Sequence, residues 1–157
     1  MPSCLNVSIS NNQQLNRLCR IADILREMLY NLEIVNKGQY LHVTASGLRS
    51  RKTLVSIAEQ VLEECIRDSV DDVLFDSRNI EGRISVFDSY QIVTKDFPRL
   101  IKIKKINRMA ILDAEDNGYR MHFFESVCQK FGFNFRTFTN YEKAEKWISA
   151  KELVPAD

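Results

Sequence analysis

The sequence predicts an α/β fold: a mixed, mainly parallel sheet with helices on its faces. Short, continuously apolar runs recur at Val73-Leu74-Phe75 and Met109-Ala110-Ile111-Leu112, as in strands covered on both sides. Between and after these runs lie segments whose apolar residues repeat at helical spacing. Strand–helix–strand alternation requires crossover connections, and these pair strands in parallel. A turn signal at Lys37-Gly38 adds one antiparallel hairpin, which makes the sheet mixed.

Each element follows from its residues. From Gln13 to Leu29, Leu15, Leu18, Cys19, Ala22, Leu25 and Leu29 fall on one helical line, and Ile21, Ile24 and Met28 widen it. A helix this apolar has to pack on the domain, on a second copy or on a partner. Asn31–Val35 and Tyr40–Ala45 read as the two strands of the hairpin, and Ser46-Gly47 as a turn. Ser50 can cap a helix reaching Arg67, with Leu54, Ile57, Ala58, Val61, Leu62 and Cys65 on one face. After the strand at Val73, Ser85 caps a helix carrying Val86, Tyr90, Val93 and Phe97, which Pro98 helps to end. After the strand at Met109, a helix over Tyr119–Phe131 stops at Gly132. Phe133–Phe138 is the next strand, and Asn140 caps a last helix with Tyr141, Ala144, Trp147 and Ile148. The division expected is an appendage over 1–38, a domain over 39–150 and a frayed tail over 151–157.

Composition bounds the function. The chain has 157 residues, 22 Lys plus Arg and 21 Asp plus Glu, for a net charge of +1. That balance argues against a dedicated nucleic-acid binder. No apolar stretch approaches the ~20 residues that span a bilayer. Charge is nonetheless uneven. Residues 94–108 carry six bases against Asp96 alone, while Asp113, Glu115 and Asp116 follow with no base. The basic run reads as a solvated connection more readily than as a lipid or partner dock. Cys4, Cys19, Cys65 and Cys128 form no CxxC pair, and with only His42 and His122 there is no zinc-ligand spacing. Neither a metal nor a cofactor is implied. Free thiols on apolar helix faces point to a reducing compartment, most simply the cytoplasm.

Ligands in open α/β sheets meet the carboxyl ends of strands. Two strands here end in an acid, Asp76 and Asp113. Asp76 opens a segment through Ser77, Arg78, Glu81, Gly82 and Arg83 to Ser85. Asp76, Arg78, Arg83 and Asp113 are therefore the candidate partner- or anion-binding set. The plainer reading pairs Asp76 with Arg78 and the loop amides to shape the turn. No catalytic set assembles: there is no GxSxG elbow, no GxGxxG and no GxxxxGK[ST]. Asp71-Asp72 precede their strand, unlike the acidic pair of receiver domains. An enzyme using Asp76 and Asp113 requires both carboxyls in one cleft.

Tyr40-Leu41-His42-Val43-Thr44-Ala45-Ser46-Gly47, Val73-Leu74-Phe75-Asp76-Ser77-Arg78 with Glu81-Gly82-Arg83, Met109-Ala110-Ile111-Leu112, and Phe138 followed by Ala144-Glu145-Lys146-Trp147-Ile148 resemble, in that order, the bacterial SpoIIAA-like proteins, small STAS-type (STAS/SEC14-like) domains. The resemblance covers about residues 39–150. It implies a four- or five-stranded mixed sheet with helices mainly on one face, and no enzyme activity. It also implies a protein-interaction role, as in anti-sigma-factor antagonists. Those are switched by phosphorylation of a serine in an Asp-Ser-Ser-Gly-like turn. Asp76-Ser77 matches its first two positions and Arg78-Asn79 departs from the rest, so Ser77 is the candidate phosphorylation site. The leading expectation is a non-catalytic regulatory module with an unidentified protein partner and a homodimer contact through the first helix. The alternative is a carrier or sensor of a small amphipathic or anionic ligand, as in SEC14-like relatives, with the phenylalanine-rich half lining a cavity.

Overall fold

A computed structural model describes residues 10–100 and 105–150. Cys4, the bases Lys102 and Lys104 and the 151–157 tail lie outside the described residues. Helix α1 (Asn11–Leu29) runs directly into strand β1 (Tyr30–Asn36). β2 (Leu41–Leu48), α2 (Arg51–Asp68) and β3 (Asp72–Glu81) follow. α3 (Val86–Gln91) continues through a π-helical stretch, Ile92–Asp96, into the short α4 (Phe97–Arg99). β4 (Arg108–Leu112), α5 (Gly118–Lys130), β5 (Asn134–Phe138) and α6 (Tyr141–Ser149) complete the described residues.

The five strands lie in the order β1-β2-β3-β4-β5. β1 pairs antiparallel with β2, and every later neighbour is parallel. Lys37-Gly38 forms the hairpin turn: Lys37 N–H donates to the Tyr40 carbonyl at 3.0 Å, and Gly38 takes a φ of +86°. Ser50, Ser85 and Asn140 cap α2, α3 and α6, each side chain accepting the amide three residues on.

Alternation along the strands sorts the two faces. Val43, Val73, Phe75, Ile111 and Phe135 point to one side, where Ile57, Val61 and Cys65 of α2, Ile92, Val93 and Phe97, and Val127 and Cys128 of α5 close the main core. Phe97 stands edge-on to Phe124, Phe133 and Phe135. Leu74 and Ala110 point to the other side and meet Ala144 and Ile148 of α6, the helix that packs there. Helices therefore lie mainly on one face.

Two sequence expectations are corrected. Ser46-Gly47 is no turn: both residues stay in β2, with a register shift between Thr44 and Ser46. Gly47 has a φ of +123°, and a side chain there would meet the Leu29 carbonyl at 2.4 Å, so glycine is what lets α1 hand over to β1. Residues Ser77–Glu81 are not a loop: β3 continues through them because Ser46, Gly47 and Leu48 of β2 pair with Asn79, Ile80 and Glu81. The connection to α3 is only Gly82–Ser85.

α1 stands apart. All of its described side chains are exposed, and Leu15, Leu18, Ile21, Ile24 and Leu25 are each 53–62% open. The helix has no packing partner among the described residues beyond its junction with β1.

Candidate functional site at the strand ends

The carboxyl ends of β3 and β4 carry two separate ionic arrangements, one on each face of the sheet. Asp76 lies on the α6 side. Its carboxylate receives Arg78 Nε at 2.9 Å and a terminal Arg78 nitrogen at 2.7 Å, as well as the Arg78 amide at 3.2 Å. Burial works to raise the Asp76 pKa, but the hydrogen bonds from Arg78 outweigh it and hold the carboxyl below its ordinary range. The plainer reading of this pair is therefore the geometry present, although the Arg78 side chain keeps 46% exposure.

Beside them, Tyr40 and Tyr141 both donate to Glu145 Oε1, at 3.0 and 3.3 Å. Burial and that carboxylate push the Tyr40 phenol well above the ordinary range. His42 packs against Tyr141 with ring centroids 5.9 Å apart, and its buried Nε2 has no hydrogen-bond partner among the described residues.

Asp113 points to the opposite, helix-rich face. It is 1% exposed and takes a two-pronged contact from Arg49, at 2.8 and 3.0 Å. Arg49 also donates to the carbonyls of Ser77 and Ile80, which ties the end of β2 to the end of β3. The Ala114 amide at 2.8 Å and the Asn117 side-chain amide at 3.3 Å complete the acceptor set of Asp113. Ser77 is 1% exposed and its hydroxyl donates to the Leu112 carbonyl at 3.0 Å. A kinase would have to open that bond to reach it. Arg83 lies on the Gly82–Ser85 connection, exposed, with Asp116 at 3.9 Å. The structure thus brings Arg83 to the acidic stretch after β4, pairs Asp76 with Arg78, and keeps Asp76 and Asp113 on opposite faces, away from one shared cleft. Among the described residues no group of His, Cys, Asp or Glu is arranged to hold a metal.

Sequence reasoning missed Arg49 and Arg120. Both border a cavity of about 100 Å³ between the sheet, α2, α3 and α5. Its wall is mostly apolar, from Leu54, Ile57, Phe75, Ile111, Phe124 and Phe135 among others, with Ser77, Asn117 and the two arginines as polar members. Arg108 belongs in sequence to a basic run that reads as solvated, yet it is buried. It meets Asp72 at 2.5 Å and donates to the carbonyls of Trp147, Ile148 and Ala150 at the end of α6.

No family model and no curated protein matches the chain by sequence. Solved structures match it by fold. An anti-sigma factor antagonist from Mycobacterium paratuberculosis aligns with a TM-score of 0.51 at 14% identity, covering 77% of this chain and 95% of its own. An uncharacterised protein with a SpoIIAA-like fold from Shewanella loihica aligns with a TM-score of 0.48 at 18% identity, covering 76% of this chain and 94% of its own. At such identities a likeness speaks for the fold alone. The five-stranded mixed sheet, with α2, α3 and α5 on one face and α6 on the other, is an α/β fold shared with that anti-sigma factor antagonist, and it also carries the N-terminal helix α1.

Proposed function

We propose that the chain is a non-catalytic regulatory module that acts by protein–protein interaction, and that α1 is its handle, with a second copy of the chain as occupant. The observation that carries this reading is the open apolar surface of α1. Leu15, Leu18, Ala22, Leu25 and Leu29 follow one another at steps of three, four, three and four residues, the seam of a two-stranded coiled coil. Such a seam is self-complementary, so a second α1 fits it without further design. Covering the exposed half of each leucine contributes roughly 1 kcal/mol. The anti-sigma factor antagonist whose fold the chain shares is named for acting on another protein, which supports the same class of role. The exposed guanidinium groups of Arg78 and Arg83, at the end of β3, are the proposed second contact face, toward an acidic partner. Cys65 and Cys128 are buried free thiols, which supports a reducing compartment, most simply the cytoplasm. Sedimentation velocity tests the handle. The wild-type chain is expected as a dimer and the Leu18→Glu/Leu25→Glu variant as a folded monomer; equal sedimentation of the two contradicts it.

A second reading, a carrier or sensor of a small amphipathic ligand, is favoured by the cavity under α2 and α5. One water needs roughly 10–15 Å³, so about 100 Å³ is room for more than a water or two.

A further inference from the structure

The cavity has a chemical polarity of its own. Its body is hydrocarbon and aromatic, but its polar end holds two cations, Arg49 and Arg120, with Asp113 behind Arg49. Arg49 is 7% exposed, and its terminal nitrogens are engaged by Asp113 and by the Ser77 and Ile80 carbonyls. Its Nε–H is buried and has no acceptor among the described residues. Arg120, in the first turn of α5, is half-buried, makes no hydrogen bond or ion pair with any described residue, and also keeps a buried Nε–H without an acceptor. The acids that follow β4 do not answer it: Asp113 is taken by Arg49, Asp116 is turned toward Arg83, and Glu115 is exposed. Burying guanidinium N–H groups without acceptors is costly, and the cost is removed by an anion rather than by an apolar guest. Charge counting agrees: Arg49, Asp113 and Arg120 sum to one positive charge beside an apolar void.

Resting on the ligand-binding reading, we infer that this cavity is a site for a compact monoanionic amphiphile, a short-chain carboxylate, whose carboxylate is held by Arg120 with the Nε–H of Arg49. The apolar body of the ligand lies among Leu54, Ile57, Phe75 and Phe124. The size follows from the void: an apolar cavity of about 150 Å³ takes benzene, with its six non-hydrogen atoms, so about 100 Å³ takes a guest of roughly four to six. Planar, two-pronged donors are what guanidinium groups offer a carboxylate. Arg49 also bonds the carbonyls of Ser77 and Ile80, so a guest that engages it bears directly on the strand end next to Arg78 and Arg83.

Titration calorimetry on the full chain with butyrate and with 1-butanol, its neutral counterpart, tests the site. Butyrate is expected to bind one per chain and more tightly than butanol. Arg120→Gln removes no internal partner, so the fold is kept; it is expected to weaken butyrate at least tenfold and leave butanol unchanged. Ala58→Leu, which fills the void, is expected to abolish both. Butanol binding as tightly as butyrate, or Arg120→Gln leaving butyrate unaffected, overturns the anionic pole while the cavity reading stands. Binding of neither probe overturns both.

Discussion

The strand-end ion pairs show how single residues decide what this surface can offer. Asp76 is squeezed between two opposing effects, burial and the Arg78 guanidinium, and the guanidinium wins. The sign of the consequence is fixed: a carboxyl with a lowered folded pKa contributes stability that is present above its unfolded value of ~3.9 and is lost as pH falls through the folded value. Followed by carboxyl NMR, Asp76 is expected to titrate below ~3.9 in the wild type. In Arg78→Gln it is expected to titrate higher than in the wild type, because burial is then opposed only by the residue-78 amide and by His42. An unchanged titration in the variant would show that Arg78 does not govern this carboxyl. Asp113 serves differently. With its carboxylate inside and shared between Arg49, Ala114 and Asn117, it acts on the exterior only through the residues it holds in place. Cys65 is a third case: burial, aided by Asp71 and Asp68, pushes its thiol up to about 12, so it stays protonated and packs as a small apolar side chain.

At the scale of elements, much was legible where the information is local. The offsets of Leu54, Ile57, Ala58, Val61, Leu62 and Cys65 name the buried face of α2, and Ser50 names its start. The unbroken apolar runs of β3 and β4 mark strands covered on both sides. What was not legible depends on partners distant in sequence. Ser77–Glu81 has a polar, turn-like composition and becomes strand only because the end of β2 supplies its ladder. Arg49 carries no signal in its neighbours Leu48 and Ser50; its importance arises from Asp113, 64 positions away. Arg108 likewise sits in a run of bases yet faces inward, where it seals the carbonyl end of α6 against β4 and β3. Arg108→Met removes the partner of Asp72 and three carbonyl contacts together, so an unfolding free energy lower by about 3–5 kcal/mol is expected in urea titration. A loss under ~1 kcal/mol, the range of exposed pairs, would mean that Arg108 behaves as a surface cation.

At the scale of the molecule, three surfaces divide the labour. The helix-rich face encloses the cavity, the carboxyl ends of β3 and β4 present Arg78 and Arg83, and α1 projects an apolar seam with no cover from its own domain. Among the described residues no helix is long and apolar enough to cross a membrane. α1 is therefore the proposed junction between two copies of the chain. Native mass spectrometry of freshly purified protein reads this most directly, because it weighs the assembly and any retained guest in one spectrum. A dimer that dissociates when Leu18 and Leu25 are replaced by glutamate is the predicted result. A single 18.3 kDa species at every concentration, identical in the variant, would contradict it.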